Sequence, residues 1–297
     1  MVGYLSKPII SDNNASVKTT ADKERKNGLI NLIDVSGFIY RAFYAFPRFT
    51  HKDVEVGALY GFCSEMLKIA SQFKGSMFAA AFDCGKKTFR NEIYPEYKAN
   101  RKETPKEILS QIPLIKEACE SFGFTSIERP GFEADDIIAT CVKANSDRYK
   151  INIFSSDKDL LQLLDDNVAV YDSMKKKFVT EEDVVEKFGV PRDKVLDVLS
   201  LMGDSSDNIP GVSGIGPKTA ASLINEFGSL ENLISRVDSL PNNKKNETLK
   251  KEIDKAALSK RLASLRDDLD ITLEYRISNL DNANEFLSKF GFNSLLR

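Results

Sequence analysis

Leu29-Ile30-Asn31-Leu32-Ile33-Asp34-Val35 is a short apolar run that ends on an aspartate. The same arrangement recurs twice. Residues 76–82 (SMFAAAF) run into Asp83, and residues 151–155 (INIFS) are followed by Asp157. Apolar runs of strand length without polar alternation indicate strands covered on both faces, as in a parallel sheet. Residues 168–171 make a fourth such run and 124–128 a weaker one. Between them, residues 57–73 carry Leu59, Phe62, Met66, Ile69 and Phe73 at helical spacing. Residues 106–122 read as a helix interrupted near Pro113, and 133–144 as a helix turning Ile137, Ile138, Cys141 and Val142 inward. Strands alternating with helices predict an α/β fold with a mostly parallel central sheet flanked by helices.

The pattern changes near residue 180. From there the spacing predicts helices over 181–188, 192–202, 217–227 and 230–237, then a long charged helix over 244–265. Pro241-Asn242-Asn243 marks a loop. The chain therefore divides into a polar tail (1–28), an α/β region (29–185) with a basic segment near 84–106, and a helical region (186–297).

With 297 residues, 42% hydrophobic and 29% charged, the composition is that of a soluble globular protein of one large or two smaller domains. No apolar run approaches the roughly 18–20 residues of a membrane span. The tail has no apolar segment of the secretory kind, and its acids argue against a transit peptide. Four cysteines without a CxxC pair read as free thiols in a reducing, intracellular compartment. The single histidine, His51, rules out two-histidine metal sites, and its polar neighbours suggest a solvated, inert side chain.

Net charge is −2, but it is unevenly spread. Residues 86–106 hold seven Lys and Arg against three acids, and 244–266 hold eight against three. Basic patches beside a concentrated acidic site could bind a polyanion and hold cations against it. Any one such run is also what an ordinary solvated helix face looks like.

The acids gather at strand ends and helix starts. Asp34 and Asp83 end strands, and Asp157 and Asp159 follow a third. Glu133, Asp135 and Asp136 open a helix, and Asp204 and Asp207 lie in a polar turn. Ligands of an open parallel sheet bind beyond the carboxyl ends of its strands. Glu133 and Asp136, three apart, share a helix face, with Asp135 about 100° away. Each acid alone suits a cap or a turn. Nine converging carboxylates without cations would repel one another into partial protonation. Hard divalent ions such as Mg²⁺ or Mn²⁺ relieve that repulsion, and paired ions roughly 3.5–4 Å apart serve phosphodiester hydrolysis.

Gly211-Val212-Ser213-Gly214-Ile215-Gly216-Pro217-Lys218-Thr219 imitates a nucleotide-binding phosphate loop, but Pro217 stands where that loop needs lysine. It reads better as a glycine-rich hairpin between helices. Pro217 would open the second helix, whose free N–H groups can face a phosphate.

Four stretches together resemble the 5' nuclease region of bacterial DNA polymerase I, in the flap endonuclease superfamily. They are Leu201 to Val212 (LMGDSSDNIPGV) with the hairpin, Phe132 to Ala139 (FEADDIIA), Ser156 to Leu160 (SDKDL) and Tyr97 to Arg101 (YKANR). They lie in the expected order over about residues 29–290. Two departures are visible: Val35 and Ser156 stand where that family usually has glycine.

The resemblance implies a PIN-like nuclease fold followed by a helix-hairpin-helix-type DNA-binding motif. It implies a Mg²⁺-dependent 5'→3' exonuclease and flap endonuclease acting on DNA flaps, nicks and gaps in replication and repair, RNA-primed ends included, as a cytoplasmic, nucleoid-associated monomer. Asp34, Asp83, Glu133 and Asp135 would hold a first metal. Asp157, Asp159 and Asp207 would hold a second, with Asp135 shared, and Asp136 and Asp204 would act through water. Lys98 and Arg101, on a mobile arch, would contact the scissile phosphate, Arg90 would bind DNA, and Tyr97 would stack on a base. Gly214, Gly216, Lys218 and Thr219 would grip duplex backbone, with K⁺ at the hairpin. Two rival readings keep the architecture: a non-catalytic binder of DNA structures, and an RNase.

Overall fold

The computed structural model describes residues 28–46, 49–271 and 276–296; the tail predicted for residues 1–28 lies, but for Gly28, outside them. Strand β1 (Leu29–Asp34) passes without a loop into helix α1 (Val35–Ala45). A small hairpin of β2 (Thr50–His51) and β3 (Val54–Glu55) leads to α2 (Gly57–Gln72) and β4 (Met77–Phe82). The basic segment that follows contains α3 (Phe89–Ile93) and α4 (Lys106–Leu109). Then come α5 (Ile112–Ser121), β5 (Thr125–Glu128), α6 (Ala134–Asn145), β6 (Lys150–Phe154), β7 (Val168–Asp172) and β8 (Lys177–Phe178). Six more helices complete the order: α7 (Glu181–Phe188), α8 (Val195–Met202), α9 (Pro217–Phe227), α10 (Leu230–Arg236), α11 (Lys244–Ala263) and α12 (Ala283–Lys289).

The main sheet runs β5-β4-β1-β6-β7-β8 and is parallel throughout except at β7–β8. As predicted, it is a mostly parallel central sheet between helices. The chain starts at β1, moves outward through β4 and β5, then returns to the other side of β1. That reversal opens a crevice beyond the carboxyl end of β1. Asp34 sits there, in register with Ala81, two residues before Asp83.

Side chains alternate between two apolar layers. Ile30 and Leu32 face Ile137, Ile138, Cys141 and the helices after residue 184. Ile33 and Phe78 face Phe38, Leu59 and Phe62 of α1 and α2, and Phe286 and Leu287 of α12. Ile30, Leu32 and Ile33 are at most 1% exposed, and burying each contributes roughly 1.5–3 kcal/mol. Helices α7 to α11 thus share an apolar layer with one face of the sheet, and α12 packs with the layer on the other.

Several elements differ from the sequence expectation, among them the short strands β2, β3 and β8 and helix α12, none of which was predicted. The break before α5 falls at Ser110-Gln111, because Pro113 lies in the first turn, where its missing N–H has no partner to lose. Helix α1 was not predicted, because no polar residue other than Asp34 separates it from β1. His51 is also not solvated; its ring packs against Phe290 and its Nε2 is buried.

Candidate metal and nucleic-acid site

The carboxylates meet at the carboxyl edge of the sheet. Asp34 is held by Ser155, whose Oγ donates to Oδ2 at 2.6 Å. Burial, then the charges of Asp83 and Asp157, push its pKa up to about 6 against the Ser155 bond. Asp83 accepts from Ser36 Oγ (2.6 Å) and from the Ala134 N–H (2.9 Å) at the start of α6. Asp135 is raised well above the carboxylate range, first by burial, then by Asp157, Asp34, Asp83 and Glu133. Its field therefore comes from acids at or just beyond the ends of three strands and from the N-cap of α6, a looser arrangement among the described residues than that of Asp159, Asp204 and Asp207.

The second group is set by a tight turn after α8. Gly203 (φ +69°) and Gly211 (φ +58°) cross in backbone contact. A Cβ on Gly211 would fall 2.4 Å from the Gly203 nitrogen. Asp204 and Ile209 exchange backbone hydrogen bonds at 2.9 and 2.8 Å, closing the loop that presents Asp204 and Asp207. Carboxylate oxygens of Asp159, Asp204 and Asp207 lie within 4.8 Å of one another. Asp159 is pushed up to about 7 by burial, then by Asp157, Asp204 and Asp207, with Lys158 opposing. Its Oδ1 is buried without a hydrogen-bond partner. That oxygen has only the Lys158 ammonium, 3.8 Å away, as a charged neighbour, and three clustered carboxylates with no sulfur or imidazole among them fit a hard divalent ion.

Asp157 does not belong to that triple. Its Oδ1 accepts from the Asp159 N–H at 2.9 Å, and its charge acts on Asp34, Asp135 and Asp159 alike. Asp204 stands closer to the second group than a water-mediated role implies, although Lys158 ion-pairs with its Oδ2 and the Ser206 N–H donates to its Oδ1 at 2.7 Å. Burial raises the Asp204 pKa, but the Lys158 bond brings it below normal. Lys158 was in the sequence motif without a role; its place between Asp157 and Asp159 was the available signal.

Two residues placed at the site by sequence bind each other behind it. Asp136 is fully buried and bound to Arg90, whose Nη1 it shares with Glu133 Oε2 (3.3 Å). Its four acceptor positions are taken by Arg90 NH1 and NH2 (both 2.7 Å) and by the backbone N–H groups of Glu133 (3.1 Å) and Arg266 (2.9 Å). Arg90 is 2% exposed and also donates to Glu133 Oε2 (3.3 Å) and to the Leu262 and Ser264 carbonyls at the end of α11. Neither group has capacity left for a metal, a water or a phosphate. The physical reason is helical phase: the N-cap is Glu133, so Asp136 at the third position closes a capping box instead.

The segment 94–101 packs over the carboxylates. Lys98 Nζ lies 2.7 Å from Glu133 Oε1 and 3.6 Å from Asp207 Oδ2. Burial alone would lower its pKa, and these two carboxylates more than offset that. Arg101 ion-pairs with Asp207. Tyr97 is 4% exposed, with its hydroxyl between Glu133 and Asp207, so it is not placed to stack on a base. Burial, then the Glu133 charge, keeps the phenol protonated above its ordinary range.

The glycine hairpin lies apart from the acids. Val212 and Ile215 anchor it in the core, while Gly214, Gly216 and Lys218 are exposed and Thr219 half-buried. Helix α11 holds it: Ser259 Oγ accepts from the Gly211 N–H and Glu252 Oε2 from the Ser213 N–H, both at 2.9 Å. Val35 and Ser156 are not among the non-glycine residues of positive φ, so neither departure from glycine strains the backbone.

The family model described as the 5'-3' exonuclease N-terminal resolvase-like domain matches residues 29–189, and the 5'-3' exonuclease C-terminal SAM fold matches 190–285. DNA polymerase I of Rhizobium leguminosarum is 42% identical over 288 residues, covering 92% of this chain and 28% of the polymerase. The chain thus spans less than a third of that relative. The 5'-3' exonuclease of Aquifex aeolicus (strain VF5) is 36% identical over 273 residues, covering 90% of this chain and 93% of the exonuclease. The solved structure of T5 5'-exonuclease with bound zinc superposes with a TM-score of 0.70 at 24% identity, over 80% of this chain and 90% of that one. The T5 D15 flap endonuclease in complex with DNA and metal ions gives 0.70 at 22%, over 90% and 95%. These two show the fold. With both family models covering the described core and site, the chain belongs to the 5'-3' exonuclease family.

Proposed function

We propose that this chain is a divalent-metal-dependent 5'→3' exonuclease and flap endonuclease acting on DNA. The observation that carries this is the convergence of Asp159, Asp204 and Asp207, whose carboxylate oxygens lie within 4.8 Å of one another, beside the cations Lys98 and Arg101 on Asp207. In this reading residues 29–185 carry the chemistry and 186–297 grip the duplex. Asp34, Asp83, Glu133 and Asp135 hold one ion; Asp159, Asp204 and Asp207 hold another, with Asp157 between them. Mg²⁺ is the ion proposed, with Mn²⁺ able to substitute. When bound, such ions lower the pKa of a water and stabilise charge on the attacking and leaving oxygens.

The chain's own residues supply the rest. Lys98 and Arg101 place positive charge at the mouth of the cleft, where they hold the scissile phosphate and offset its developing charge. The exposed backbone of Gly214 and Gly216, the start of α9, Lys218 and Thr219 bind duplex phosphates without reading bases, with K⁺ proposed at the same turn. A free 5' end beside a duplex, including an RNA-primed one, is the proposed substrate. The protein is proposed to act as a monomer in the cytoplasm near the nucleoid. No helix among the described residues is long and apolar enough to cross a membrane.

The test is cleavage of a labelled 5'-flap duplex with Mg²⁺, Ca²⁺ or EDTA. Mg²⁺ and Mn²⁺ should support cutting near the flap junction, Ca²⁺ should allow binding without turnover, and EDTA should abolish it. Undiminished cutting after exhaustive chelation, or none with Mg²⁺ on any flap, nick or gap, sinks the reading.

A further inference from the structure

Glu133 and Asp207 lie 74 positions apart in sequence and belong to different carboxylate groups. Besides the Lys98 ammonium, one buried side chain touches both. The Tyr97 hydroxyl is 3.0 Å from Glu133 Oε2 and 3.2 Å from Asp207 Oδ2. A phenol carries a single proton, so it is shared between the two acceptors. The ring is fixed as firmly as the hydroxyl. The Arg90 guanidinium lies 5.9 Å from its centroid and the Lys98 ammonium 5.1 Å. The backbone is held as well: the Tyr97 carbonyl accepts from Asn91 Nδ2 (3.0 Å), its N–H donates to the Tyr94 carbonyl (2.9 Å), and the next N–H, of Lys98, donates to the Asp207 carbonyl (2.9 Å).

From this the geometry points to Tyr97 as a positioning residue that sets the separation and orientation of Glu133 and Asp207 before metal arrives. The inference rests on the metal-binding part of the proposed function. Two carboxylates that share one donor are held together against their mutual repulsion. Without the hydroxyl, Glu133 keeps Arg90 and Asp207 keeps Arg101, and only the Lys98 ammonium still reaches both, at 2.7 and 3.6 Å, on a longer and more exposed side chain than the buried phenol. Partners of metal-binding carboxylates typically contribute 10–100-fold to metal affinity.

The experiment is a Mn²⁺ binding isotherm on wild type, Tyr97→Phe and Tyr97→Leu without DNA. It is paired with duplex affinity in EDTA and with thermal melting as the folding control. Tyr97→Phe keeps the ring and should weaken Mn²⁺ binding about tenfold, leaving duplex affinity within about twofold. In a Glu133→Gln, Asp207→Asn background the same change should have no further effect, because the groups it acts through are gone. A base-stacking role makes the opposite forecast: Tyr97→Phe behaves as wild type and only Tyr97→Leu loses DNA affinity. A folded Tyr97→Phe with a wild-type isotherm overturns the proposal. If that variant fails to fold, Asn91→Ala decides, since it loosens the phenol without deleting it, and a wild-type isotherm there overturns it equally. A wild type that binds Mn²⁺ but cuts no flap would remove the activity and leave the positioning role standing.

Discussion

Arg90 and Asp136 form a two-point ion pair, NH1 to Oδ2 and NH2 to Oδ1 both at 2.7 Å, with side chains 2% and 0% exposed. The pair joins α3, at the root of the basic segment, to α6, whose N-cap is Glu133, and to the last carbonyls of α11. Helix α11 in turn holds the hairpin through Ser259 and Glu252. One arginine therefore sits where three parts of the molecule meet.

Removing one partner of a buried ion pair leaves an uncompensated charge and typically destabilises by about 3–5 kcal/mol. Arg90→Ala should do so in urea unfolding of the metal-free protein. Were Arg90 a phosphate contact instead, stability would be unchanged and the slope of log K against log salt would fall by about one unit. The two measurements separate the readings.

Asp34 and Asp159 keep their protons to about pH 6 and about pH 7 in the folded chain, against 3.8 for a free aspartate. Between roughly pH 4 and 7 the folded state binds more protons than the unfolded one, so these groups make the metal-free protein lose stability as pH rises. A shift from 3.8 to about 6 corresponds to roughly 3 kcal/mol at most for Asp34. Asp34→Asn should therefore raise the melting temperature in EDTA by several degrees at pH 8 and hardly at all at pH 4. An equal change at both pH values would remove the charge-repulsion account.

Lys98 is three-quarters buried against Glu133 and Asp207, whereas Lys102 is exposed. If Lys98 meets the scissile phosphate, Lys98→Ala should slow single-turnover cleavage about 10²–10³-fold while changing DNA affinity little. Arg101→Ala should follow it, and Lys102→Ala should not. Equal rates for Lys98→Ala and Lys102→Ala would return the segment to an ordinary basic surface.

A Cβ at Gly216 would meet nothing within 4 Å, and its φ of −92° suits any residue. Gly216→Val should therefore fold normally, which makes it a clean probe. Its side chain would stand between backbone N–H groups and a phosphate. The expected loss of duplex affinity is about tenfold, equivalent to one charge-assisted hydrogen bond of about 1.5 kcal/mol, and the same on unrelated sequences. Unchanged affinity would make the hairpin a structural turn only.

The strands and most helices were legible in the sequence because burial on both faces leaves an unbroken apolar run, and because helical burial leaves a three-and-four spacing. LINLID, MFAAAF and INIF needed no tertiary information, nor did the acids that follow them, since a parallel sheet brings all its carboxyl ends to one edge. Asp34, Asp83, Asp157 and Asp159 were identifiable on that ground, Asp135 as an acid at a helix start and Asp207 as one in a polar turn. Which way a polar side chain turns was not. Arg90 and Tyr97 lie in a basic, polar segment that reads as solvent-facing, yet both are buried, because α6, α11 and the turn at Asp207 fold over them from 36 to 174 positions away. Asp135 and Asp136 are adjacent in sequence and similar in chemistry. Only the helix's rotation about its axis, fixed by packing Ile137 and Ile138 on the sheet, sends one into the cleft and the other onto Arg90.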